Sequence, residues 1–260
     1  MKRKIIVDLR DAKEDTPQAK ALKSSAQDLG HRLGNFHNYY AFNPTSHRLN
    51  HMKETLEYIF KHASSSAERF QYCDLGCNEG DLTLDMSIAL QKGLMRPVHF
   101  VGIDIDPVLI ERAKEKKCKL NNEIKDVTGE FHVGDILQDL NHLIKNDSVD
   151  LITLLSTTMW IHVHAGDDGL QDVLKQTCQK TKRFLLIEPQ PSKCYRKAMI
   201  RLRKMGRPEF NVSSDRLKLR RNIEKEIDAI LQSAGFNRVS FSSEQKTEWN
   251  RSLELYERRT

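Results

Sequence analysis

The stretch Tyr72-Cys73-Asp74-Leu75-Gly76-Cys77-Asn78-Glu79-Gly80 constrains the fold of this chain more than any other. Apolar residues run into an acid and then into a turn bounded by two glycines, the pattern of a buried strand that ends at a tight βα turn. Downstream, Phe100-Val101-Gly102-Ile103-Asp104 is a second apolar run that stops on a carboxylate. A parallel sheet that holds an adenosine-containing ligand needs both parts. Backbone without side chains lets the ligand lie against the turn, and a carboxylate accepts from the two ribose hydroxyls.

From Phe70 onward, strand-like and helix-like segments alternate. Leu82, Met86 and Ala89 share a helical face after Gly80, Pro107 opens the next helix, and Leu109, Ala113 and Leu120 mark its buried stripe. Phe131-His132-Val133 predicts a short third strand that stops at Gly134-Asp135. The unbroken apolar run over residues 149–155 predicts a central strand covered on both faces. Leu170, Val173, Leu174, Thr177 and Cys178 follow the helical period, and Phe184-Leu185-Leu186-Ile187 is a fifth strand halted at Glu188-Pro189. Ile223, Ile227, Ile230, Leu231 and Ala234 repeat the helical period and end at Gly235, where a terminating glycine belongs. Two β-like segments around Val239 to Phe241 and Leu253 to Tyr256 close the chain. The expected fold is a doubly wound, Rossmann-like α/β sheet of the methyltransferase type, with seven mostly parallel strands and an antiparallel last strand. Residues 1–30, polar and without periodicity, are expected as an N-terminal arm, and residues 31–260 as the single domain. A further helix is expected to start at Thr45 or Ser46 and run through Phe60.

The turn spacing is Gly76-x-x-x-Gly80 and lacks the third glycine of a dinucleotide fingerprint. Asp74 before the turn and Asn78 within it suit a ligand that carries an ammonium and a carboxylate and no phosphate. S-adenosylmethionine is such a ligand. Asp104 is placed to take both ribose hydroxyls, and Asp135, which ends the third strand, to meet the adenine amino group. The alternative is that Gly76 and Gly80 only serve a βα turn.

The chain has 260 residues, a formal charge of +6 and five cysteines without a CxxC pair or a zinc-spaced His/Cys cluster. That combination fits a reducing compartment and no structural metal; the cytoplasm is the expected location, with a nuclear pool as the open alternative. The basic balance favours polyanionic partners such as RNA. No apolar run nears the ~18 residues that span a bilayer, and the N-terminal apolar stretch, interrupted by Asp8 and Arg10, is too short for a secretory signal. No membrane partner is expected, and the expected assembly is a monomer.

Ligands in open α/β sheets bind beyond the carboxyl ends of the strands, so the segments after strands four and five should border the reacting centre. After strand four come Trp160, which offers a flat face, and His162 and His164, which can donate to anionic oxygens. Trp160 serves equally as core, and Asp167 or Asp168 as the N-cap of the next helix. After strand five, Lys193, Arg196 and Lys197 form a basic run extended by Arg201, Arg203, Lys204 and Arg207. This run is either a solvated helix face or a phosphate-binding surface. Phe36, Tyr39 and Tyr40 either stack on a terminal base or pack as a lid.

Gly34-Asn35-Phe36 with its following tyrosines, Asp74-Leu75-Gly76-Cys77-Asn78, Asp104-Ile105-Asp106, Met159-Trp160-Ile161-His162 with Gly166-Asp167-Asp168-Gly169-Leu170, and Glu188-Pro189-Gln190-Pro191 resemble the bicoid-interacting family of RNA 5′-phosphate methyltransferases. Within it the chain is most similar to the branch that acts on RNA 5′-monophosphates, with Ser192 standing where many members carry tryptophan. The resemblance implies S-adenosylmethionine-dependent methylation of the terminal phosphate of small RNAs, with histidine tRNA and microRNA precursors as the associated substrates. It implies that Arg48, Gly76, Asn78, Asp104, Ile105, Asp135, Ile136 and Leu155 surround the cofactor, with Arg48 reaching its methionine carboxylate.

A phosphate monoester is already anionic at neutral pH, so the expected chemistry needs no general base. Trp160, His162 and Gln190 are the expected catalytic residues, with His162, Gln190 and Lys193 orienting the acceptor. Tyr39, Tyr40, His164, Lys193, Arg196 and Lys197 are the expected substrate contacts. On this reading Asp104→Ala loses cofactor binding and His162→Ala loses turnover alone. Three readings compete: a methyltransferase with a small-molecule or carboxyl acceptor, a non-catalytic RNA-binding homologue, and a dehydrogenase disfavoured by the missing glycine.

Overall fold

A computed structural model describes residues 39–42, 44–64, 68–120, 125–204, 216–241 and 251–259. The expected arm over residues 1–30, the Gly34-Asn35-Phe36 motif and Arg207 lie outside the described residues. The strands are β1 (Phe70–Leu75), β2 (Val98–Asp104), β3 (Val127–Val133), β4 (Val149–Leu155), β5 (Thr181–Glu188), β6 (Phe236–Arg238) and β7 (Glu254–Arg258). The helices are α1 (Tyr39–Phe42), α2 (Thr45–His51), α3 (Lys53–His62), α4 (Asp81–Leu94), α5 (Pro107–Leu120), α6 (Ile136–Leu143), α7 (Thr158–Lys180), α8 (Ser192–Lys204) and α9 (Ile223–Ser233), with a 3-10 turn at Lys218–Asn222 before α9.

The strands form one seven-stranded sheet in the order β3-β2-β1-β4-β5-β7-β6. The pairs among β1 to β5 are parallel, and β7 runs antiparallel to both β5 and β6. This is the expected doubly wound fold with an antiparallel last strand. Side chains alternate between its two faces. Ile152, Leu154, Leu185 and Ile187 pack on one side with Ile136, Leu140, Leu170, Val173, Ile223 and Ile227. Tyr72, Phe100, Leu151 and Leu186 pack on the other with Leu56, Ile59, Leu82, Met86, Ile110 and Ala113. Both faces of β4 are covered, which explains its unbroken apolar run.

Three boundaries differ from expectation. The helix expected through Phe60 is two helices, α2 and α3, that break at Met52, whose buried side chain joins the core. The sixth strand occupies Phe236–Arg238 and not residues 239–241, because Gly235 (φ 89°) ends the α9 turn one residue before the buried Phe236 ring. The helix expected to be capped by Asp167 or Asp168 starts earlier, at Thr158, and is kinked at Gly166, where φ 75° and ψ −171° break it. That backbone angle lies in a region glycine alone enters freely.

Between β1 and β4 the strand order reverses, so the helices that follow these two strands leave on opposite faces. A crevice opens there, beyond the carboxyl ends of the strands.

Candidate active site

The carboxyl ends of β1, β2, β4 and β5 border one cavity of about 680 Å³. Its β1 rim is the glycine turn. Gly76 and Cys77 donate their amides to the Ile103 carbonyl at 2.8 and 3.0 Å, which ties the turn to β2. Gly76 has φ 86°, and a Cβ there would lie 2.4 Å from Thr157 Oγ1. The Thr157 hydroxyl is itself bonded to the Leu75 and Leu155 carbonyls at 3.1 and 3.3 Å. Only glycine lets the ends of β1 and β4 approach this closely.

Asp104 ends β2 with a carboxylate that is 3% exposed. The Asn78 amide donates to its Oδ2 at 2.9 Å and the Asp106 amide to its Oδ1 at 3.0 Å. Two backbone donors fix its direction, while a carboxylate has about four acceptor positions in all. Asp135 also lines the cavity, but its side chain caps α6, accepting from the Leu137 amide at 2.9 Å and from Gln138 Nε2 at 3.1 Å. The residue expected to meet an adenine amino group is therefore also a helix cap. Ile105, Ile136, Leu137 and Leu155 supply apolar wall beside these acids.

At the other end of the turn, Asp74 is buried and accepts from Thr83 Oγ1 at 2.6 Å and Thr153 Oγ1 at 2.7 Å. Burial raises its pKa, while the two hydroxyls and the positive charge of Arg48 oppose that rise. Arg48, 6% exposed, pairs with the fully buried Glu188 and donates to Ser156 Oγ at 2.9 Å. Burial alone would lower the Arg48 pKa, but the Glu188 carboxylate, with Tyr39 and Tyr40, more than reverses this and holds the guanidinium charged. Arg251 joins from the other side, donating to Ser156 Oγ at 2.7 Å and to Glu188 Oε1 at 3.2 Å. Both guanidiniums line the cavity, and charge-assisted donors of this kind suit a ligand carboxylate.

This donor set fits S-adenosylmethionine. The Asp104 end suits a ribose, the apolar walls an adenine ring, Asp74 an ammonium, and the Arg48–Arg251 pair a carboxylate. Tyr39 and Tyr40 close this side, their rings 5.1 Å apart edge to face, with the Arg48 guanidinium 6.0 Å from the Tyr39 ring. Burial raises the Tyr40 pKa well above its ordinary value, which keeps the hydroxyl neutral.

The opposite wall is α8. Lys193, Lys197 and Arg201 recur every four residues and all line the cavity, with Cys194 and Ala198 between them. Arg196 is exposed and lies off the lining, because its position on the helix turns it away. Trp160 and His164, on the first turns of α7, also line the cavity, with ring centroids 6.4 Å apart.

Two expected catalytic residues are employed elsewhere. His162 is fully buried and absent from the cavity lining. Its Nε2 lies 2.7 Å from Asp167 Oδ1 and its Nδ1 2.9 Å from the Tyr195 hydroxyl. A carboxylate only accepts, so Nε2 carries the proton and Nδ1 receives the tyrosine hydrogen. Burial lowers the His162 pKa against the opposing pull of Asp167, which keeps the ring neutral at pH 7. Asp167 also accepts from the Lys218 and Leu219 amides at 3.0 and 3.2 Å, so it ties α7 to the 3-10 turn and does not act as the expected N-cap. Gln190 lines the cavity, but its Oε1 accepts from the Met159 amide at 3.0 Å and Thr158 Oγ1 at 3.3 Å, and its Nε2 donates to the Ser156 carbonyl. It positions the first turn of α7 and has little capacity left to orient an acceptor.

The polar contributors Ser156, Thr157, Glu188 and Arg251, and the wall residue Leu137, escaped the sequence reading as site residues. Glu188 carried a usable signal, an acid closing a strand as Asp104 does. Arg251 carried none, because only folding brings it to a residue 63 positions away.

A family profile described as Bicoid-interacting protein 3 (Bin3) matches residues 149–258, and a methyltransferase-domain profile matches residues 46–197. A Xenopus laevis pre-miRNA 5′-monophosphate methyltransferase is 35% identical over 240 residues, covering 86% of this chain and 91% of that protein. The Homo sapiens RNA 5′-monophosphate methyltransferase is 33% identical over 242 residues, covering 86% and 80%. The Mus musculus 7SK snRNA methylphosphate capping enzyme is 26% identical, covering 66% of this chain and 33% of its own length. Among solved structures, a magnesium protoporphyrin IX methyltransferase from Synechocystis with bound S-adenosylhomocysteine has a TM-score of 0.54 at 15% identity, covering 92% of this chain and 97% of that one. That likeness shows the fold alone.

Proposed function

Because this chain belongs to the bicoid-interacting (Bin3) family of RNA 5′-monophosphate methyltransferases, we propose that it transfers the methyl group of S-adenosylmethionine to the 5′-terminal phosphate of small RNAs. One observation carries this reading. A single cavity joins an acid-and-glycine wall suited to the cofactor to the basic stripe Lys193, Lys197 and Arg201.

When bound, S-adenosylmethionine supplies a methyl group activated on a positively charged sulfur. The acceptor is a phosphate monoester with a second pKa of about 6, so at neutral pH its oxygen arrives deprotonated. No side chain has to remove a proton, which agrees with a neutral, buried His162 that faces away from the cavity.

The chain's task is therefore positioning and charge. Asp104 and Asp74 hold the cofactor's polar groups, and Arg48 with Arg251 holds its carboxylate. Lys193, Lys197 and Arg201 attract and align the terminal phosphate on the opposite wall. In favourable systems such alignment is worth about 7–11 kcal/mol. Trp160, Tyr39 and Tyr40 exclude water, and His164 adds a donor beside Trp160. Gln190 acts through the first turn of α7.

The test offers purified protein labelled S-adenosylmethionine and one short RNA carrying a 5′-hydroxyl, 5′-monophosphate or 5′-triphosphate end. Transfer to the monophosphate, with none to the hydroxyl, is the expected result. Equal transfer to the hydroxyl end overturns the reading. Activity indifferent to RNA favours a small-molecule acceptor.

A further inference from the structure

The amino edge of the sheet, at the far end of the strands from the cavity, carries a second concavity of about 510 Å³. Arg69 immediately precedes β1, His99 is the second residue of β2, and Lys125 and Thr128 flank the start of β3. Lys117 reaches the same hollow from the last turn of α5. Among the described residues, no carboxylate lies within ion-pairing distance of Arg69, Lys117 or Lys125. Other basic residues at this edge differ: Arg183 pairs with Glu257 at 2.8 Å and Arg258 with Asp147 at 3.2 Å.

Like charges that converge without a counter-ion repel one another, and a fold tolerates this where an anion completes the arrangement. His99 registers the local field. Burial lowers its pKa, and Arg69 and Lys117 lower it further against the opposing Glu130. Its Nδ1 lies 3.1 Å from the Thr128 hydroxyl, which places two neutral hydrogen-bonding groups among the cations. Glu130 itself lies 3.4 Å from His132. Arg69, Lys125 and Thr128 are exposed, so the hollow is open and suits successive phosphates of a polymer better than an enclosed small anion.

We propose that Arg69, Lys117 and Lys125, with His99 and Thr128, form an RNA-backbone site that grips the body of the substrate while its 5′ phosphate occupies the cavity at the opposite edge. This rests on the RNA-methyltransferase reading above. The six residues of β1 separate the two edges by about 20 Å at ~3.3 Å per residue. An A-form RNA stem spans that distance only when it runs to several base-pair steps. The site therefore engages stems and not very short strands.

The test compares wild type with the triple variant Arg69→Ala/Lys117→Ala/Lys125→Ala and with a control of equal charge loss, Lys61→Ala/Lys175→Ala/Lys225→Ala. Binding of a 5′-hydroxyl RNA hairpin with a stem of about twelve base pairs is followed by fluorescence anisotropy against salt; loss of three phosphate contacts should lower the salt slope by about 2–3 and affinity about tenfold. With 5′-phosphorylated acceptors, KM should rise about tenfold for the hairpin and stay unchanged for a tetranucleotide, with S-adenosylhomocysteine affinity and thermal midpoint preserved. A salt slope unchanged from wild type, or an equal fall in the control, overturns the proposal, as does an equal KM rise for the tetranucleotide. The binding arm needs no methyl transfer. A wild type that methylates no RNA would therefore overturn the activity alone, and the salt slope would still decide the site.

Discussion

His162 and Asp167 face each other, Nε2 to Oδ1 at 2.7 Å, behind the cavity wall and not inside it. The histidine thereby joins α7 to the Tyr195 hydroxyl of α8, and the aspartate joins it to the Lys218 and Leu219 amides. A side chain expected to touch the acceptor is instead a brace for the helices that line the cavity.

His162→Ala removes a buried ring and strips two partners of their hydrogen bonds, so unfolding free energy should fall by about 2–4 kcal/mol. Affinity for S-adenosylhomocysteine should be largely retained. Asp104→Ala should do the reverse in emphasis. If Asp104 accepts from the ribose as proposed, its loss should weaken S-adenosylhomocysteine binding by about ten- to a hundredfold, at ~1.5–3 kcal/mol for a charged hydrogen bond. Denaturation and calorimetry on both variants check this division. A large loss of affinity in His162→Ala at unchanged stability would return the histidine to the site.

The same pair sets a pH dependence. The folded protein holds the His162 pKa below its ordinary value of about 6.5, so below that pH the unfolded chain binds more protons than the folded one. Stability from this group is present above about 6.5 and declines as pH falls toward the depressed folded value. Asp167 behaves alike in a lower window. Burial would raise its pKa, but the bonds from His162 and the Leu219 and Lys218 amides outweigh that and lower it, so its contribution declines below about 3.9. Thermal midpoints of wild type should fall more steeply between about pH 6.5 and 5 than those of His162→Gln. Parallel curves would contradict this.

Gly76→Ala places a Cβ 2.4 Å from Thr157 Oγ1 and 2.9 Å from its Cγ2, at φ 86°. Strain from the backbone alone is about 1 kcal/mol, and the clash adds to it. Adding Thr157→Ala removes both clashing atoms and should restore the steric part only. A double-mutant cycle with S-adenosylhomocysteine affinity and thermal midpoint as readouts should show positive coupling, and strict additivity would contradict the close approach.

Lys197 lines the cavity and Arg196, its neighbour on α8, does not. Lys197→Ala should raise KM for 5′-phosphorylated RNA by about tenfold, the loss of one charge-assisted contact of ~1.5 kcal/mol. Arg196→Ala should change it little, and neither should alter cofactor-product affinity. Equal effects of the two substitutions would mean that bulk charge, and not the face of the helix, matters.

The doubly wound sheet was legible because strands buried on both faces leave continuous apolar runs and their helices keep the 3.6-residue period. That Asp74, Gly76 and Asp104 meet at one cavity was legible because all three stand at or just beyond the carboxyl ends of adjacent strands. His162 was misplaced for a physical reason. A single glycine at position 166 kinks a helix that otherwise continues, and its sequence resembles a loop. The amides of Lys218 and Leu219 that donate to Asp167, and the Arg251 that meets Glu188, come from segments distant in sequence that carry no periodic signal. Gln190 was found as a wall residue, but its partners at Ser156, Thr158 and Met159 are visible only in three dimensions.

The most direct test of the account locates the transferred methyl. After a single turnover with 5′-monophosphorylated RNA and S-adenosylmethionine, the product is digested to nucleotides and analysed by mass spectrometry. The account predicts methyl on the phosphate oxygens of the 5′-terminal nucleotide and nowhere else. Methyl on a ribose hydroxyl or a base would contradict it, since the acceptor assigned here is a phosphate oxygen that arrives already deprotonated.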